Sequence, residues 1–129
     1  MPRFALERIL QVNGRQVFEK LVVDGKAPFD TFIEELESIY ESEMDSMYNL
    51  MDHVANLQTL PYAKVHPYSD GKDGCREWEF KTKHLRVYAI EKRGGKIVII
   101  GGTKSKQART ESEFHKLKDQ YIKSPDYEE

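Results

Sequence analysis

Lys81, Lys83, His84 and Arg86 fall within one short stretch, Tyr88 follows closely, and Lys104 and Lys106 lie further along. These are residue types that can handle a phosphodiester. Arg86 offers a bidentate fork and Lys81 a point charge for phosphate oxygens. An unperturbed histidine titrates near neutrality, so His84 could act as general acid or base. Tyr88 supplies a ring on which a nucleobase could stack. Each residue also has an ordinary reading. Lys81 could pair with Glu77 or Glu79 as surface charges of small energetic worth, and Tyr88 could simply pack.

Other chemistries lack their patterns. His53, His66, His84 and His115 show no close metal-ligand spacing, and Cys75 is the single cysteine. Gly94-Gly95 and Gly101-Gly102 fit neither a phosphate-binding loop nor a dinucleotide fingerprint. No serine sits in a nucleophile elbow. What is left is metal-free, cofactor-free chemistry or binding alone.

Charge is segregated along the chain although its net value is only −2. From Asp24 to Leu60 nine acidic residues face Lys26 alone, whereas from Pro61 to Thr110 twelve basic residues outnumber five acidic ones. A basic region of this kind suits a polyanionic partner, although the two halves could also neutralise one another internally. The length of 129 residues, 39% hydrophobic and 33% charged, predicts a single domain over 1–129 with its own core. The apolar run Ile97–Ile100 is too short to cross a bilayer. Glu7 and Arg8 interrupt any signal-like segment, and one cysteine forms no intrachain disulfide. The cytoplasm is the expected location, with no membrane partner.

The elements that must position these residues follow from periodicity. Phe4 to Val12 alternates, Asn13-Gly14 suits a two-residue hairpin turn, and Val17 to Val23 gives a second strand. Pro28 fits the first turn of a helix. Phe29, Phe32, Ile33, Leu36, Ile39 and Tyr40 recur at helical spacing, then Met44, Met47, Tyr48, Met51, Val54 and Leu57. This run is either a helical hairpin, with Ser42 and Asp45 capping the second member, or one long helix. The aromatic and methionine stripe reads as core. Pro61 to Gly74 reads as a loop. Strands follow at Arg76–Lys81, Lys83–Glu91 and Lys96–Gly101, with Arg93-Gly94-Gly95 turning the second into the third. Thr110-Glu111-Ser112-Glu113 has capping-box form and opens a helix with Phe114, Leu117 and Tyr121 inward. Pro125 ends it, and residues 124–129 are expected to fray.

Strand alternation assigns the faces. Packing Trp78, Phe80, Leu85 and Val87 against helices leaves Glu77, Glu79, Lys81, His84, Arg86 and Tyr88 on one open face. The third strand is apolar on both sides and therefore central. The expected fold is α+β: a small antiparallel-rich sheet with an N-terminal helical hairpin or long helix on one face and a C-terminal helix.

The order of these segments resembles a known family. The run Asp24-Gly25-Lys26-Ala27-Pro28-Phe29-Asp30-Thr31-Phe32-Ile33 is similar to the strand-to-helix junction of HigB-like toxins in the RelE/ParE superfamily. Glu77 to Lys81 and Leu85 to Tyr88 resemble that family's paired strands. Lys96 to Gly102, the lysines at 104 and 106 and the helix after Thr110 resemble its last strand and C-terminal segment. The likeness spans about Val17 to Ile122 and rests on motif order.

The resemblance implies a small toxin of a type II toxin–antitoxin system. Many members cut messenger RNA on the ribosome by metal-free attack of the 2′-hydroxyl, and each is neutralised by a cognate antitoxin. Such a reaction requires in-line orientation, stabilisation of phosphorane charge and management of two protons. Arg86 matches the family's strand arginine and Lys104 its second basic position, while Lys81, Lys83 and His84 occupy the basic inter-strand region where a general base or acid could sit. Lys83, Tyr88, Arg76 and Lys106 are the expected RNA contacts. The strand within residues 1–16 is extra. After the last strand, where a Tyr or His is common in the family, this chain has Thr103, Ser105 and Gln107. Two rivals accompany this reading: a toxin that blocks a protein such as DNA gyrase without hydrolysis, and a non-catalytic binding module.

Overall fold

The computed structural model describes residues 2–58, 64–69 and 73–127. The chain runs β1 (Phe4–Arg8), β2 (Val17–Val23), α1 (Pro28–Glu35), α2 (Glu41–Ala55), β3 (Val65–Ser69), β4 (Glu77–Lys81), β5 (Leu85–Lys92), β6 (Gly95–Thr103) and α3 (Gln107–Ile122). The fold is α+β, with a six-stranded mixed sheet in the order β1-β2-β6-β5-β4-β3. β2 pairs with β6 in parallel, and the other neighbouring pairs are antiparallel.

On one face, Phe18, Phe80, Val87, Ala89 and Val98 pack with Phe29 of α1 and Met44, Met47 and Met51 of α2. This is the side to which alternation assigned Trp78, Phe80, Leu85 and Val87. The opposite face is not open. Leu21, Tyr88, Ile90, Ile97 and Ile99 pack there against Phe114, Leu117 and Tyr121 of α3. The reason lies in β6: a strand apolar on both sides needs cover on both, and the α3 stripe supplies the second layer.

Five further expectations are corrected. The helical run breaks earlier than Ser42, at Leu36 and Glu37, whose extended backbone (ψ 132° and 142°) admits a 3₁₀ turn over Ser38–Tyr40. Ser42 caps nothing. The break lets α1 lie on β6 and β2 while α2 reaches β4, and it leaves Ile39 72% exposed.

Asn13-Gly14 does not form a two-residue hairpin turn, because β1 and β2 are joined through residues 9–16. That loop docks on the end of α2. The Asn13 N–H donates to Asp52 Oδ1 at 3.0 Å, and the Gln16 N–H to the Ala55 carbonyl at 2.8 Å. Gly14 is required by contact, since a Cβ there would lie 2.6 Å from that of Ala55.

Thr110 is not a cap either. α3 starts at Gln107, and the buried Thr110 hydroxyl donates back to the Lys106 carbonyl at 3.1 Å. The chain after α3 is also tied down as far as it is described. Asp126 accepts the Phe4 N–H at 3.0 Å, and the Tyr127 ring packs 5.3 Å from that of Tyr121. The expected loop from Pro61 to Gly74 contains β3; residues 61–63 and 70–72 lie outside the described residues.

Candidate nucleic-acid interface

The tight β4–β5 connection and the β6–α3 junction meet at one end of the sheet. Arg86 stands in register with Lys81 on one side and Gly102 on the other. The Lys104 N–H donates to the His84 carbonyl at 2.7 Å, and the Lys81 N–H to the Lys64 carbonyl at 2.6 Å. Lys81, Lys83, His84, Arg86 and Lys104 are thus brought to one end, and Lys64 joins them.

His84 is set by a residue that sequence reading did not single out. Glu43, in the first turn of α2, accepts the Thr82 hydroxyl and, at 2.7 Å, the His84 N–H through Oε2. Its Oε1 lies 2.8 Å from His84 Nδ1. An ionised carboxylate only accepts, so His84 Nδ1 donates to Glu43 and Nε2 is the ring nitrogen left for a ligand. The His84 side chain is 46% exposed, and its ring rests 5.3 Å from that of Tyr40. Burial pushes the Glu43 carboxyl up, but the bonds from Thr82 and His84 outweigh this and hold it below its usual value. The pair therefore consists of an oriented imidazole and an ionised carboxylate, an arrangement suited to proton transfer. Glu43 carried no sequence signal, because on an acidic helix it reads as one more solvated charge.

The expected site residues divide by position. Arg86 is 8% exposed, and its Nη1 donates to the Thr82 and Leu85 carbonyls at 2.6 and 2.8 Å. It braces the β4–β5 turn, and its buried Nε has no partner among the described residues. Lys81 Nζ sits 3.9 Å from Glu79 Oε1, a long contact. Lys83 and Lys104 are exposed. Lys106 turns toward α1 and lines a 310 Å³ cleft with Phe32, Glu35, Arg109 and Glu113.

Two residues leave the set. Tyr88 is fully buried, stacks on Phe114 at 5.3 Å and donates its hydroxyl to Glu111 at 3.2 Å, so no base can reach its ring. Burial and the carboxylates of Glu79 and Glu111 push that hydroxyl far above its usual range. Arg76 precedes β4, at the end of the strand away from Lys81, with its guanidinium 6.0 Å from the Trp78 ring centre.

Glu77, Glu79 and Tyr88, expected on an open face, instead belong to a network under α3. Lys118 donates to Glu77 at 2.9 Å and to the Cys75 carbonyl at 2.7 Å, and lies 3.0 Å from Asp73. His66 Nε2 lies 3.2 Å from Glu79. Tyr68 donates to Glu111 at 2.9 Å, and its hydroxyl is pushed up to about 12 by burial and by that bond. Each buried acid has a partner, as low-dielectric packing demands.

Among the described residues no group of three or more His, Cys, Asp or Glu side chains is placed to hold a metal ion. No helix among them is long and apolar enough to cross a membrane. No protein-family model matches the chain, and no curated protein or solved structure matches it.

Proposed function

We propose that this chain is an RNA-cleaving toxin of the RelE/ParE superfamily, of the HigB-like branch, that works in the cytoplasm on ribosome-bound messenger RNA and is held in check by a cognate antitoxin. The observation that carries this reading is the His84–Glu43 pair, half-exposed and set among Lys81, Lys83, Arg86 and Lys104. On this reading His84 Nε2 takes the 2′-hydroxyl proton. The 2′-oxygen then bonds to the adjacent phosphorus while the bond to the 5′-oxygen breaks, leaving a 2′,3′-cyclic phosphate. Lysine ammonium groups around the pair stabilise the added phosphorane charge, and the 5′-oxygen leaves with a proton from a neighbouring ammonium or from water. Arg86 acts chiefly by holding the turn that carries His84 and Lys83.

Ribosome-programmed cleavage of messenger RNA, with mapping of the new RNA ends, tests the reading. Purified protein should give cyclic-phosphate ends, and His84→Ala should abolish them while leaving the fold intact. His84→Ala is a cleaner probe than Arg86→Ala, which also removes two bonds across the turn. Full toxicity in both His84→Ala and Lys81→Ala would sink the proposal, and DNA damage without RNA cleavage would point to a gyrase-directed toxin.

A further inference from the structure

Beside the His84–Glu43 pair, a 470 Å³ cleft opens between α2 and the β4–β5 turn. Its size is within the range of about 300–1,000 Å³ usual for small-molecule clefts. α2 is an acidic helix, with Glu41, Glu43, Asp45 and Asp52. The stripe it turns toward the cleft is nevertheless Ser46, Asn49, Leu50 and His53, at helical spacing and without a carboxylate. Glu43 also borders the cleft, and its oxygens are engaged by Thr82 and His84. The opposite wall carries Lys64 and Lys83, both exposed and neither paired with a carboxylate among the described residues. An acidic helix that shows a neutral, partly apolar stripe to unpaired lysines is complementary to a ligand with a flat apolar body and a negative charge.

We infer that this cleft holds one nucleotide of a single-stranded RNA, its base against Leu50 between Asn49 and His53 and its phosphate on Lys64 and Lys83. The side-chain amide of Asn49 offers both a donor and an acceptor to a base edge. Splayed bases of single strands are what proteins read in this way, and basic rims track their backbones. The inference rests on the ribonuclease reading and adds a specificity element to it. Because Glu43 borders the cleft and also orients His84, a base seated here places a neighbouring phosphate at the imidazole.

The test is amide-resolved NMR titration of the whole chain with a ribonucleoside 3′-monophosphate, with inorganic phosphate and with an acidic peptide. The nucleotide should shift Asn49, Leu50, His53 and Lys83 and saturate, and inorganic phosphate should bind at least tenfold more weakly. Asn49→Asp and Lys64→Glu, both on the surface, should each weaken the nucleotide at least fivefold with unchanged thermal melting. Equal binding of nucleotide and inorganic phosphate, or shifts that miss Asn49 and Leu50, would overturn the inference. Preference for the acidic peptide would overturn it in favour of a protein-docking surface. If RNA cleavage were normal in both variants, the cleft would fail and the ribonuclease reading would survive. Saturable nucleotide binding in a protein that cleaves no RNA would uphold the cleft and remove the catalytic reading.

Discussion

Two histidine–glutamate pairs in this molecule have similar chemistry and opposite surroundings. His66 and Glu79 meet at 3.2 Å under α3 with side chains 9% and 5% exposed, whereas His84 and Glu43 meet at 2.8 Å at the sheet end with side chains 46% and 17% exposed. Buried charge must be satisfied internally, and removing one partner strands the other in a low dielectric. A half-exposed pair adds little to stability, because water screens it, but it can exchange a proton with a bound substrate. The contrast extends to the lysines. Lys118 is consumed by Glu77, Asp73 and the Cys75 carbonyl, while Lys64 and Lys83 are left for a ligand.

The largest expected effect lies in the buried network. Lys118→Ala leaves Glu77 beneath α3 with only the half-exposed His115, 3.6 Å away, and should lower unfolding stability by about 3–5 kcal/mol, read by chemical denaturation. An effect below about 1 kcal/mol would mean that α3 is held by its apolar stripe alone. Next comes the exposed pair: His84→Ala should reduce RNA cleavage by about 10²–10⁴-fold and change stability by less than about 1 kcal/mol. The converse variant, His66→Ala, should cost about 1–3 kcal/mol of stability and leave cleavage per folded molecule unchanged. Loss of cleavage there, with the fold intact, would erase the distinction between the two pairs.

The smallest effect is acid sensitivity. Burial would raise the carboxyls of Asp73 and Glu111, but Asp73 is held below its usual value by the Cys75 N–H and Lys118, and Glu111 by Gln107, Tyr68, Tyr88 and His115. The unfolded chain therefore binds more protons in the carboxylate range, and stability rises with pH there. The contribution should be complete above about pH 5 and fade as pH falls through the folded values. Urea unfolding at stepped pH reads it, and a flat profile would show that these bonds do not survive in solution.

Much of the frame was legible before any coordinates. The alternation of Trp78 and Phe80 against Glu77 and Glu79 located β4 and its apolar side, and the Met44, Met47 and Met51 spacing located α2. β3 was hidden because Pro67 gives it the composition of a loop; at the sheet edge a proline is tolerated, since one side of the strand needs no partner. The α1–α2 break was hidden for a different reason: no Gly or Pro marks it, and only the need to reach two parts of the sheet explains it. At the candidate site, the clustering of Lys81, Lys83, His84 and Arg86 was visible because the four share one turn. Glu43 and Lys64 were not, because their neighbours are remote in the chain.

By itself, the sequence determined which residues share a face, since alternation and helical spacing are local consequences of backbone geometry. It also determined that β6 would be central and that Lys81, Lys83, His84 and Arg86 would share one turn. Only the tertiary structure decided which polar residues meet water. α3 buries Glu77, Glu79 and Tyr88, while the end of the sheet leaves His84 and the lysines accessible. Exposure depends on what packs above a strand, and that partner lies far along the chain, beyond the reach of any local pattern.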